Sequence, residues 1–213
     1  MIVLGVGVTL VVSKLLSKTF LKGMPTSFSL ELPPYRKPKI RKILWRSLID
    51  RTLKVLWRAV KVALPAGLVI WLLANIYAGD FPLFYYIAKS LHPFARLMGL
   101  DGTMLTAFVL GFPANEIVLP IAVMGYAGSN TLTDFTSISQ LGSILKSAGW
   151  TIPMGVSLLL FTLFHFPCAT TMLTIKKETS RLRWTLLSFI LPTVIGIALC
   201  MAFTGIVHLF LLI

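Results

Sequence analysis

Residues 102–126 read GTMLTAFVLGFPANEIVLPIAVMGY. The stretch is apolar enough for a membrane, but its middle disfavours one continuous helix. Gly111, Pro113 and Asn115 all oppose helix interior. Eleven residues run from Gly102 to Phe112, and about as many follow Glu116. Each half is shorter than the roughly 20 apolar residues that cross a bilayer. Two short apolar halves around a polar break predict a re-entrant hairpin or a broken full span. In either case the backbone freed from helix has to be buried in protein or line a wet cavity.

The surrounding composition supports a lipid setting. Of 213 residues, 56% are hydrophobic and 13% charged, against about 25% charged in soluble domains. Mean hydropathy is +0.86. These values exclude an ordinary cytosolic enzyme, a disordered protein and a secreted disulfide scaffold. The net charge is +13, but ten of the 20 Lys and Arg lie between Arg36 and Lys61. A basic block beside apolar spans marks a cytoplasmic loop facing anionic lipid, so membrane lipid and not nucleic acid is the expected partner. Cys168 and Cys200 both sit in apolar runs, and no disulfide is expected. The start, MIVLGVGVTLVVSKLLSK, has no basic residue before its apolar run and does not read as a signal peptide.

Charge-free stretches locate the other spans. Residues 1–21 make a first, marginal span that is expected to be clipped from a longer one. Residues 22–58 form a basic cytoplasmic loop and an interfacial amphipathic helix, with Pro33, Pro34 and Pro38 keeping its start extended. Residues 59–213 form a membrane domain. Within it, Val62–Gly79 reads as a span preceded by Ala59–Lys61. Ser147–Ile175 and Trp184–Ile213 carry no formal charge and read as two more. Leu83–Leu97 and Phe135–Lys146 are shorter and mixed, and read as interfacial connectors. Pro192 and Gly196 are expected to kink the last helix. The predicted fold is all-α: a polytopic membrane helical bundle with broken or re-entrant helices.

Charge also sets the topology. The Arg36–Lys61 block and the loop KKETSRLR at residues 176–183 are both basic and should be cytoplasmic. An even number of crossings then separates them. Val62–Gly79 and Ser147–Ile175 supply two, so residues 102–126 should re-enter. A broken full span with a re-entry elsewhere is the alternative.

Glu116 is the one formal charge in Gly102–Thr133. A carboxylate at membrane depth costs roughly 2.5–3.5 kcal/mol on insertion scales, so its default reading is functional. The competing reading places it shallow, or at the start of a half-helix whose dipole favours it. Asn115 beside it either ligates a cation or satisfies freed backbone. A second break lies in FHFPCATT, where Pro167 ends one helix and starts another. His165, Cys168, Thr170 and Thr171 cluster there. Thiol, imidazole and hydroxyls near freed carbonyls suit a transition metal. Taken singly, each is as readily a packing residue. Two proline-broken apolar segments together point to a transport site near the membrane midplane. Gly111, Pro113, Asn115 and Glu116 form one side of that candidate pathway, and His165, Pro167, Cys168, Thr170 and Thr171 the other. Met124, Met154 and Met172 read as packing residues, and His92 and His208 receive no role. The motifs GxxxxGK[ST], HExxH, GxSxG and CxxC do not occur, and no catalytic centre is expected.

The strings LELPPYRKPKI, LIDRTLKVLWRAVKVALPAGLVIWLLANI, GFPANEIVLPIAVM and HFPCATTMLTIKKETSRLRW resemble the bacterial ferrous iron transport protein B family (FeoB), along nearly the whole chain. The resemblance is to the C-terminal membrane part, with GFPANEIVLP matching the second of two gate segments. It implies movement of Fe²⁺ across the bacterial inner membrane into the cytoplasm, with no tightly bound cofactor. GTP control would come through a domain outside this sequence. Glu116, Asn115 and Cys168 become the candidate transient Fe²⁺ ligands. The phosphate-binding loop and the first gate are not in the sequence. The resemblance therefore implies an N-terminal half on another chain, or a homo-oligomer that supplies the missing half. Two further readings are a gate-type permease for a nucleoside or another divalent cation, and an inactive membrane fragment or scaffold.

Overall fold

The computed structural model describes residues 2–19, 40–132 and 137–211. The proline-rich start of the basic loop and Thr133–Thr136 of the second connector lie outside them. The chain divides into two units, residues 1–57 and 58–213.

The first unit holds α1 (Ile2–Thr19), α2 (Ile40–Arg46), a π-helical turn (Ser47–Leu53) and the start of α3 (Lys54–Asn75). No residue of α1 is buried, and Ile2, Val3 and Leu10 are exposed. That outward apolar surface suits lipid. The hydroxyl of Thr9 donates to the carbonyl of Gly5 at 2.8 Å, and that of Ser17 to Ser13 at 2.8 Å. These bonds satisfy hydroxyls that lipid cannot.

The second unit is an all-α bundle with one two-residue hairpin, β1 (Tyr77–Ala78) and β2 (Phe81–Pro82), paired antiparallel. α4 (Leu83–Leu97), α5 (Gly102–Leu110), α6 (Val118–Ala127), α7 (Ile138–Ser147), α8 (Ile152–Phe164), α9 (Ala169–Thr179) and α10 (Leu182–Leu211) follow. Among the described residues, four helical segments are long and apolar enough to cross a membrane: Ile2–Thr19, Leu44–Asn75, Ile152–Thr179 and Leu182–Phe210. The second begins well before Val62. Lysine and arginine stems can cover apolar surface while their charges reach the interface, so basic residues need not end a helix there. It stops at Asn75, whose amide donates to Trp71 O at 2.9 Å and to Asn130 O at 3.0 Å. Tyr77–Gly79, counted in the span from composition, turns away into the β-hairpin.

The core is centred on α5 and α6, with Ile70 and Ala74 of α3, Leu160 and Phe161 of α8 and Cys200 of α10 packed into it. Met104, Thr106, Ala107, Phe108, Ile121 and Ala122 are almost fully enclosed. α4 is more than a connector, because Phe84, Ala88 and Ala95 bury one face of it and α5 packs alongside. Sequence periodicity is muted in α5 and α6 because they are apolar all round, as helices enclosed by protein are. α10 runs unbroken through Pro192.

Candidate functional site at the two helix breaks

α5 and α6 form a hairpin whose open ends meet. Asp101 caps α5, its Oδ1 accepting the Met104 N–H at 3.0 Å. The Tyr126 hydroxyl, one residue from the end of α6, donates to the same oxygen at 2.6 Å. Trp150 Nε1 in turn donates to the Tyr126 oxygen at 3.0 Å. Residues 102–126 thus leave and return at one end of the bundle, as a hairpin of two half-helices.

The tip of the hairpin is the first break. After Leu110 the chain makes tight turns, with Gly111 N–H bonded to Ala107 O at 2.8 Å and Ala114 N–H to Gly111 O at 3.0 Å. A single 3₁₀ turn, Asn115–Ile117, then leads into α6. Gly111 has ordinary right-handed backbone, φ −75°. What requires glycine is space, because a Cβ there would collide with Val118 Cγ2 and lie 2.8 Å from Ala107 O. The sequence marks Gly111 as a helix breaker, whereas the structure uses it for close approach of the two half-helices.

The second break separates α8 from α9 at His165–Cys168. The two breaks touch: Ala169, first residue of α9, donates its N–H to Phe112 O at 2.9 Å. This bond joins an unsatisfied donor of one half-helix to a carbonyl freed by the other break. Aromatic rings seal the joint. Phe112 sits edge-on to Phe166 (5.6 Å) and Phe189 (5.7 Å), and Phe166 stacks on Phe189 (5.1 Å).

His165 lies among Phe108, Phe161 and Phe166. Its Nδ1 is 2.8 Å from the Thr162 carbonyl. A carbonyl only accepts, so Nδ1 carries the proton and Nε2 presents a lone pair. That Nε2 is buried and has no partner among the described residues. Cys168 is half-buried, with the Thr170 and Thr171 hydroxyls 3.1 and 3.2 Å from its sulfur. Asn115 and Glu116 are exposed on the chain. Neither side chain makes a hydrogen bond or ion pair among the described residues.

The structure therefore brings the two breaks together through backbone and rings, but does not gather the candidate ligands. Among the described residues no group of three His, Cys, Asp or Glu side chains is placed to hold a metal ion. Two contacts escape sequence reasoning. His92 Nδ1 accepts the Gly102 N–H at 3.2 Å, at the start of α5. The Ser188 hydroxyl reaches Met172 sulfur at 3.7 Å. His92 stands ten residues before its partner and Ser188 sixteen after Met172, so no local pattern reveals either.

A hairpin of two half-helices docked on a second broken helix, in a bundle with four helices long and apolar enough to cross a membrane among the described residues, defines an all-α integral membrane protein. The chain belongs to the Gate family, whose model, described as "Nucleoside recognition", matches residues 56–182. A second model, "Ferrous iron transport protein B C terminus", matches residues 1–50. Among curated proteins, the Fe(2+) transporter FeoB of Staphylococcus aureus strain MSSA476 is 30% identical over 98% of this chain and 31% of the relative. The protein of the same name from Leptospira interrogans is 26% identical over 91% of the chain and 30% of the relative. That of Campylobacter jejuni is 25% identical over 88% and 32%. The chain thus spans about a third of the length of these relatives. No solved structure matches it.

Proposed function

We propose that this chain is the C-terminal membrane portion of a ferrous iron transporter of the bacterial cell membrane, passing Fe²⁺ toward the cytoplasm. The observation that carries the reading is a chain-long likeness to proteins named Fe(2+) transporters. The joint between the two breaks supports it by giving an ion a place where half-helices end inside the bundle.

In this reading Fe²⁺ moves past the joint through weak, successive contacts. Glu116 and Asn115 offer oxygen, Cys168 offers sulfur, and His165 Nε2 offers a nitrogen lone pair already oriented by the bond to Thr162. Scattered ligands suit conduction, because an ion held by a full cage leaves slowly. The exposed Asn115–Glu116 pair is then completed by water or by another polypeptide. We assign that cover to the N-terminal part of such a transporter, which would also bring the first gate and GTP binding. GTP hydrolysis belongs to that part, and this membrane portion carries no chemistry of its own. A nucleoside as cargo has the description of the Gate model in its favour, but not the likeness of residues 1–50.

The test is radioactive Fe²⁺ uptake in cells lacking their own ferrous transporter. The chain is expressed alone and with an N-terminal part from a complete relative. Uptake that needs the partner and fails with Cys168→Ser supports the proposal. No uptake in any pairing, despite verified insertion and complex formation, overturns it.

A further inference from the structure

Beyond the joint, α9 carries a polar face through the end of the apolar span Ile152–Thr179. Thr170, Thr171, Thr174 and Glu178 recur at helical spacing and so share one side of it. Thr171, Thr174 and Glu178 are exposed, while Met172 turns toward α10, where Ser188 reaches its sulfur. The face starts at Cys168 in the second break and ends in the basic loop at residues 176–183. From Cys168 to Lys176 a helix rises about 12 Å. That is most of one half of a hydrocarbon core roughly 30 Å thick.

The polar groups of this face form one series. The Cys168 sulfur is 3.1 Å from the Thr170 hydroxyl. Thr174, one turn on, donates its hydroxyl to the Thr170 carbonyl at 2.9 Å. The series ends on another helix, where Arg58 Nη1 of α3 donates to Thr174 Oγ1 at 3.1 Å. A threonine bonded back to its own helix is at home in lipid, as Thr9 is on α1. A guanidinium is not, because its charge is permanent. Arg58 is half-buried and paired with no carboxylate among the described residues. A charge held in that way within a span needs water beside it, and the exposed threonines border the same side.

We infer that this face of α9 is a water-lined leg of the pathway, leading from the second break to the cytoplasm, and that Arg58 is the charge that meters cations along it. The inference rests on the reading of the two breaks as a transport path. Arg58 meets the face at Thr174, six residues and about 9 Å along the axis from Cys168. A cation leaving Cys168 meets like charge there and cannot linger. Glu178, one turn past Thr174, offers the next carboxylate.

The test reads the charge near Cys168 and needs no transport. In inside-out vesicles carrying the Cys200→Ser chain, Cys168 is the single thiol. Its rates of reaction with a cationic and an anionic methanethiosulfonate of similar size are compared. Thiolate formation enters both rates alike, so their ratio isolates charge along the approach. Arg58→Gln should raise the cationic-to-anionic ratio about threefold or more at low salt, since Thr174 lies within a Debye length of Cys168. Arg58→Lys should keep the parent ratio, whereas a merely structural strut would not set it. Added salt should move the parent toward the Arg58→Gln value, which tests the same charge in the unaltered helix pair. Leu173→Cys, off the polar face and with both native cysteines replaced by serine, should react slowly with both reagents. Cys168 reacting no faster than Leu173→Cys overturns the water-lined leg. A ratio indifferent to Arg58→Gln and to salt overturns the role of Arg58. Failure of Fe²⁺ uptake would overturn the cargo and leave these rates as they are, so the two failures are distinct.

Discussion

The Tyr126 hydroxyl donates to Asp101 Oδ1 at 2.6 Å, so the last turn of α6 is tied to the cap of α5. This bond closes the mouth of the α5–α6 hairpin, and if that hairpin re-enters a membrane, both its ends lie on one side. Leu97 and Ala127, exposed just outside the hairpin's two ends, should therefore react alike. Leu97→Cys and Ala127→Cys, each in a background with Cys168 and Cys200 replaced by serine, should be labelled from the same side by an impermeant maleimide. Labelling from opposite sides would show that the segment crosses.

Gly111 tests how tightly the hairpin tip is packed. Gly111→Ala puts a methyl group into Val118 and close to the Ala107 carbonyl. Overpacking of this kind costs about 1–3 kcal/mol. The variant should unfold at lower temperature in detergent than the parent. A Gly128→Ala control should separate steric from conformational cost. Gly128 has open space around it but φ +61°, so its penalty comes from backbone alone. An unchanged Tm for Gly111→Ala would remove the close-approach argument.

The spans were legible because a bilayer demands long apolar runs, and α8, α9 and α10 follow the uncharged stretches closely. Both breaks were legible because Pro113 and Pro167 stand beside other helix-disfavouring or polar residues (Gly111 and Asn115, His165 and Cys168), whereas Pro65, Pro93 and Pro192 lie inside continuous helices. The pairing of the breaks was not legible. Phe112 O and Ala169 N are joined by tertiary packing alone, and any carbonyl and any first-turn amide carry the same sequence signature. The cavity at the Asp101 end of the bundle was hidden for the same reason. His92, Ser157 and Thr204 come from three helices, and each looks like a lone polar residue until the bundle closes. Gly111 marked the break, but the close approach of Val118 that also requires glycine there was not legible, since composition does not show which side chain comes near it.

His165 separates packing from function. A buried ring nitrogen without a partner contributes nothing to stability, and leaving it unpaired is costly. His165→Leu removes that penalty but also loses the Nδ1 bond to Thr162. The two changes oppose each other, so stability should stay within about 1 kcal/mol of the parent. Fe²⁺ uptake with the N-terminal part present should nevertheless fall. A large loss of stability would make His165 a structural residue. Unchanged stability with unchanged uptake would remove it from the pathway.

Glu116 gives the sharpest test, because its surroundings are so unlike its chemistry. It stands at the tip of a hairpin whose helices are otherwise nearly enclosed, exposed and free of partners among the described residues. A carboxylate left bare in lipid costs roughly 2.5–3.5 kcal/mol on insertion scales, so this face has to meet water, an ion or another polypeptide. Glu116→Gln keeps the shape and removes the charge. Insertion should be retained, because the amide is cheaper to bury than the carboxylate. Uptake of Fe²⁺ should drop about tenfold or more, the loss expected when a charged contact becomes neutral. Glu116→Asp should recover part of the rate, since it restores charge at a shorter reach. Equal loss in both variants would point to shape instead of charge, and full uptake by Glu116→Gln would place the ion's path elsewhere in the bundle.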